Sequence, residues 1–163
     1  MATRRWLTDR EQAMWRGFME MCRALDLAIE AQLAEHGLST ADYALLVPLS
    51  ETPAGILRPR DLGHAIGWDR SRLAHQLRRM EQRGLVRRFH CPTDARGTMV
   101  ELTAAGRQAI DVAAPGHVET VRRHLIDLLT PAEIDTLTAI AIRVISTAAP
   151  SCDTAEPSAS DPG

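Results

Sequence analysis

Lysine is absent from this chain: all 19 basic side chains among its 163 residues are arginine. A GC-rich genome accounts for such a bias, although arginine is also the planar, forked donor suited to phosphates and guanine edges. Aromatic residues are scarce, and no apolar run approaches the length of a membrane span. No apolar stretch follows the basic start MATRRWLTDREQ, so no signal peptide is expected and the expected compartment is the cytoplasm. Cys22, Cys91 and Cys152 form no CxxC and cannot all pair, so reduced intracellular thiols are expected rather than a disulfide framework. The chain has no phosphate-cradling loop, nucleophile elbow or metal motif, which argues against an enzyme and against a bound cofactor. His117 and His124 share a helical face, but no cysteine or further histidine joins them. His90 and Cys91 diverge on a strand, so no metal site is expected.

The chain is one domain's worth of residues, long enough for a real core. Its net charge of −2 conceals an asymmetry. Residues 1–57 hold 5 arginines against 8 acids, and residues 108–163 hold 3 against 8. Between them, residues 58–107 hold 11 against 5, a local excess of +6. A basic block between acidic flanks points to a polyanion-binding unit inside a body with another task. A merely solvated charged face is the alternative, and location decides between them.

The periodicity is helical. Thr8 and Glu11 form a capping box, followed by Trp15, Phe18, Cys22, Leu25 and Ile29 at alternating spacings of three and four. That stripe, widened by Met14, Met21 and Ala28, is broader than one small domain needs on its first helix. A second helix starts at STAD, residues 39–42, carrying Tyr43, Leu45, Leu46 and Leu49, and ILR at 56–58 is a candidate short strand. After the basic block, Val118, Val121, Leu125 and Leu128 make an apolar stripe. TPAE at 130–133 then opens a helix lined by Ile134, Leu137, Ala141 and Val144. The polar, Pro-rich residues 148–163 are expected to be disordered.

Within the block, residues 60–66 predict a short helix ending at Gly67, and Asp69 is placed to cap a longer helix over 70–83. Two helices joined by a tight Gly-containing turn form the helix-turn-helix pattern. In the second, Leu73, Leu77 and Met80 share one face. Ser71, Arg72, His75, Arg78, Arg79 and Gln82 share the other, with Arg70 at the start. A donor-rich face of this kind fits a DNA major groove, where arginine reads guanine. Residues 85–90 and 98–102 then read as two strands joined by a tip over 92–97. A helix-turn-helix followed by a β-hairpin is a winged helix. Arg96 on the tip is placed to enter the adjacent minor groove, with Asp94 holding the tip in shape.

Asp94, Arg96, Leu102, Thr103 and Gly106 match the D-x-R-x5-L-T-x-x-G wing signature of the MarR family of bacterial transcription regulators, which the chain resembles over roughly residues 8–147. The resemblance implies a mainly α fold with a small β-hairpin wing. It also implies a helical dimerisation region at 8–36 and 107–147, flanking a DNA-binding lobe at 37–106. The implied function is a sequence-specific transcriptional regulator, a ligand-responsive repressor that binds a pseudo-palindromic operator in duplex DNA as a homodimer. Its implied effector is a small aromatic or phenolic molecule, with Trp15, Met19, Tyr43 and Val47 as pocket candidates and Arg16 as an anion partner. Some relatives sense peroxide through a first-helix cysteine. Counted back from Tyr43, that position falls near Trp15, with Cys22 about two turns further on, so the chain departs from that pattern. Cys91 beside the wing is the other candidate for a thiol-based redox response. A module binding an acidic protein partner is a third reading of the basic face.

Overall fold

The computed structural model describes residues 5–91 and 94–148, without the side chains of residues 91–96 and 148. Its contacts form two compact units, one running to Leu125 and one beginning at Ile126.

The first unit opens with α1 (Asp9–Glu35). The Thr8 hydroxyl accepts the Glu11 amide at 3.4 Å while Glu11 accepts the Thr8 amide at 2.8 Å, so the expected capping box is formed. A second box starts α2 (Thr40–Glu51), with Ser39 and Asp42 in the same reciprocal roles. The strand β1 (Ile56–Leu57) leads into α3 (Pro59–Ile66), whose proline sits at the start, where its missing N–H costs nothing. Then come α4 (Arg70–Gln82), β2 (Val86–Cys91), β3 (Asp94–Leu102) and α5 (Ala104–His124). The three strands form an antiparallel sheet in the order β1-β3-β2, with Ile56 opposite Glu101 and Val86 opposite Leu102. A single core joins Leu45, Leu46 and Leu49 of α2 to Leu62, Leu77, Met80 and Val100, and takes Leu33 from α1 and Ile110 from α5. Gly106 explains part of the sequence signature. A Cβ there would collide with the Leu85 carbonyl, so the first turn of α5 can lie against the backbone just before β2 only without a side chain.

Beyond one-residue shifts at α3, α4 and β2, the structure differs from the sequence reading at the hairpin, at Leu125 and at Ala148. The hairpin is longer than expected: the register shifts between His90 and Cys91, pairing Cys91 with Asp94 while His90 faces Thr98. Residues 95–97 are thereby carried as extra residues inside β3, so the backbone of Arg96 belongs to the strand rather than to the turn. The stripe after the wing is broken at Leu125, which leaves helical geometry (φ −141°, ψ −64°), and Leu128 falls in a 3-10 turn over Ile126–Leu128. Ala148, read as the first tail residue, closes a helix; the rest of that tail lies outside the described residues.

The described part of the second unit holds that turn and α6 (Pro131–Ala148). The expected box is present here too, with Glu133 accepting the Thr130 amide at 2.8 Å and the Thr130 hydroxyl at 2.7 Å. No helix among the described residues is long and apolar enough to cross a membrane.

Candidate nucleic-acid interface

The turn between α3 and α4 is closed by Gly67, whose φ of 66° only glycine adopts without strain. Its amide bonds back to His64, and the Trp68 amide bonds to the Gly63 carbonyl at 3.0 Å. The Asp69 carboxylate then accepts the amides of Ser71 and Arg72 at 2.9 and 3.0 Å, capping α4. The Arg72 amide contributes most and, with the Ser71 amide, outweighs slight desolvation, holding the Asp69 carboxyl below its ordinary range.

From that cap, α4 divides cleanly. Leu73, Gln76, Leu77 and Met80 are buried, and Arg70, Ser71, Arg72, His75, Arg78 and Arg79 are all exposed. Gln76, unremarked in the sequence, is the one polar side chain on the inner face, and it donates to Asp42 at 2.7 Å. Asp42 is 1% exposed and also accepts from Ser39 and, at 2.7 Å, from Arg83 at the end of α4. Arg83 donates further to the Gly37 carbonyl at 2.5 Å. Burial alone would raise the Asp42 carboxyl, but the Ser39 amide and hydroxyl and the Arg83 guanidinium outweigh it and hold it below the ordinary range. This buried carboxylate ties the far end of α4 to the start of α2.

Some arginines of the basic block are thus committed within the fold and others are not. Arg83 is occupied by Asp42, Arg87 by Glu101 across the sheet, Arg88 by Glu81 at 2.5 Å, and Arg107 by the Ser50 carbonyl at 2.9 Å. The Arg88 side chain, then its amide, hold the Glu81 carboxyl below its ordinary range despite partial burial. Among the described residues, Arg70, Arg78 and Arg79 have no carboxylate partner. The Cζ of Arg72 lies 4.0 Å from the centre of the Trp68 ring. The side chains of Asp94 and Arg96 lie outside the described residues, as does that of Cys91.

The candidate effector residues are less gathered. Trp15 and Met19 are about half exposed on α1, with the Trp15 ring 6.1 Å from that of Phe18, and Arg16 is exposed beside them. Val47 is half-buried against the core. The half-buried ring of Tyr43 is tilted against His117 of α5, with centroids 4.5 Å apart. From the sequence, His117 is weighed only as a metal ligand and set aside, so this ring pair goes unsignalled. Burial pushes the Tyr43 hydroxyl up and the His117 imidazole down from their ordinary values. His117 Nδ1 and Gln32 Oε1 are both buried without a hydrogen-bond partner. Cys22 is a half-buried free thiol on α1.

Comparison with known proteins agrees with this architecture. The sequence model of the MarR family matches residues 38–98, from the connection between α1 and α2 into the wing. The crystal structure of AbsC, a MarR family transcriptional regulator from Streptomyces coelicolor, is 42% identical, with 88% of this chain and 97% of AbsC aligned at a TM-score of 0.85. Sco3205, a MarR family regulator from the same organism solved in complex with DNA, is 38% identical over 93% of this chain and 95% of its own, at a TM-score of 0.87. The transcriptional regulator HosA from Escherichia coli O111:H- is 38% identical over 78 residues, which is 48% of this chain and spans 56% of HosA. Helix-turn-helix, hairpin and flanking helices thus agree with AbsC over nearly its whole length, and the chain belongs to the MarR family of transcriptional regulators.

Proposed function

We propose that the protein is a sequence-specific regulator that binds a pseudo-palindromic operator in duplex DNA as a homodimer. It acts in the cytoplasm as a repressor released by a small aromatic or phenolic effector. The observation that carries this reading is the two-sided α4. Its inner face is buried against the core and tied to Asp42, while its outer face presents Arg70, Ser71, Arg72, His75, Arg78 and Arg79 to solvent. A rigidly seated helix with a row of uncommitted guanidinium forks suits a major groove. Asp94 and Arg96 on the hairpin would add contacts in the flanking minor groove. Residues 8–36 and 107–147 would supply the dimer contact, as their exposed apolar side chains favour, and residues 37–106 the DNA-binding lobe. The effector reading rests on Tyr43 and Val47 at the junction of α2 with its neighbours, with Trp15, Arg16 and Met19 further along α1. The half-buried Tyr43–His117 ring pair, with its partnerless His117 Nδ1, has the features a planar, hydrogen-bonding ligand would use.

The test is an anisotropy titration of Arg79→Ala on a selected operator and on duplexes altered one base pair at a time. If Arg79 reads a base, affinity should fall by about 1–3 kcal/mol and preference should relax at one position of each half-site. An equal loss on every duplex would reassign Arg79 to the phosphates. Wild-type protein that binds all duplexes alike would remove the operator reading altogether.

A further inference from the structure

We propose that Trp68, in the turn before α4, is a positioning residue: its indole is the platform that holds Arg72 ready to read a guanine edge. The proposal rests on the DNA-reading function above and deepens it.

Trp68 itself is held in place. It packs half-buried against the core and its amide is bonded to the Gly63 carbonyl at 3.0 Å. One turn later, Arg72 is the third residue of α4, in the N-terminal part of a recognition helix that approaches base edges. Its backbone is fixed as well, because its amide donates to Asp69 at 3.0 Å. Its Cζ sits 4.0 Å from the indole centre, well within the range of a cation–π contact.

The chemistry of that contact separates Arg72 from the other held arginines. Arg83, Arg87 and Arg88 are fixed by carboxylates, which accept from the same N–H groups that a guanine O6/N7 pair would need. An aromatic face attracts the cation through its quadrupole and accepts no conventional hydrogen bond. Arg72 can therefore be ordered before DNA arrives and still have its in-plane donors free. A flexible arginine loses rotamer freedom on binding, and a preorganised one loses less. Sequence preference at one base pair would then depend on an aromatic residue that need not touch DNA.

The experiment is a double-mutant cycle on the full-length protein. Trp68→Leu, Trp68→Phe, Arg72→Ala and the two combinations are titrated on a duplex selected in vitro and on its single-base-pair variants, with thermal melts on each protein. Trp68→Leu should weaken binding to the selected duplex by about threefold to tenfold. It should also reduce discrimination at the same base pair that Arg72→Ala affects, while adding less than about twofold in the Arg72→Ala background. Trp68→Phe should keep most of the preference, since it retains a π face. If the leucine variant does not fold, the phenylalanine cycle decides, because its smaller loss should again vanish when Arg72 is absent. A loss from either Trp68 variant that is the same with and without Arg72, or uniform across duplexes, would overturn the platform, as would unchanged discrimination in Trp68→Leu or in Arg72→Ala. Wild-type protein that prefers no duplex would instead sink the DNA-reading function and the platform with it.

Discussion

Two regions of the molecule use apolar residues in opposite ways. In the lobe built from α2, α3, α4 and the sheet, Leu45, Leu46, Leu49, Leu62 and Val100 are fully buried, and the one carboxylate buried among the described residues, Asp42, is saturated with donors. Along the 27 residues of α1, Leu33 alone is buried, whereas Met14, Trp15, Phe18 and Met19 are exposed. α6 repeats the pattern with Ile142, Val144 and Ile145 exposed. The lobe thus completes a core of its own, whereas α1 and α6 each carry apolar side chains that stay exposed. The lobe holds a helix in place, and the exposed stripes of the terminal helices are what the proposed dimer would cover.

Removing the anchor of the lobe should give the largest effect. Asp42→Ala leaves Gln76, Ser39 and Arg83 without their acceptor and should cost about 2–4 kcal/mol. The figure stays below that of a fully enclosed pair because the Arg83 side chain is 42% exposed and can rehydrate. Chemical denaturation at pH 7 measures it. Because the folded-state pKa of Asp42 lies below the ordinary value, its contribution is complete above about pH 4 and is lost as pH falls through the depressed value. Asp42→Asn should therefore be less stable at pH 7 yet lose less on acidification than wild type. Equal acid sensitivity of the two proteins would remove Asp42 from the account of the lobe.

The terminal helices should respond through assembly instead. Phe18→Asp places a charge on the exposed stripe of α1 and should weaken dimerisation by at least about 2 kcal/mol. Sedimentation equilibrium at micromolar concentration should then move toward the 17.9 kDa chain mass, with melting that depends on protein concentration. A variant that remains dimeric with an unchanged melt would place the dimer contact elsewhere.

The finest comparison is between two copies of one local motif. Ser39 and Thr8 form the same capping box, but the Ser39 box shares its carboxylate with Gln76 and Arg83, whereas the Thr8 box stands alone on an exposed helix end. Ser39→Ala should cost about 1–2 kcal/mol, and Thr8→Ala should shift the melt by less than half as much. Equal shifts would mean that the buried network adds nothing to the cap.

The features visible in the sequence are those whose causes lie a few residues apart. The boxes at Thr8, Ser39 and Thr130 join positions three residues apart, so their helix starts could be read directly. The turn at Gly67, the Asp69 cap and the division of α4 into two faces are equally local, and they established the helix-turn-helix and the outward row of arginines. The end of the hairpin was misplaced because a register shift depends on the partner strand, not on the residues at the turn. Composition gave a surplus of arginine between 58 and 107 but could not say which guanidinium groups were free. That depended on pairs brought together by folding: Asp42 with Arg83 across 41 positions, Arg87 with Glu101 across 14, and Tyr43 with His117 between separate helices. A charge belongs to a residue wherever it lies, but whether its donors face DNA or a neighbouring carboxylate is settled only when the chain has packed.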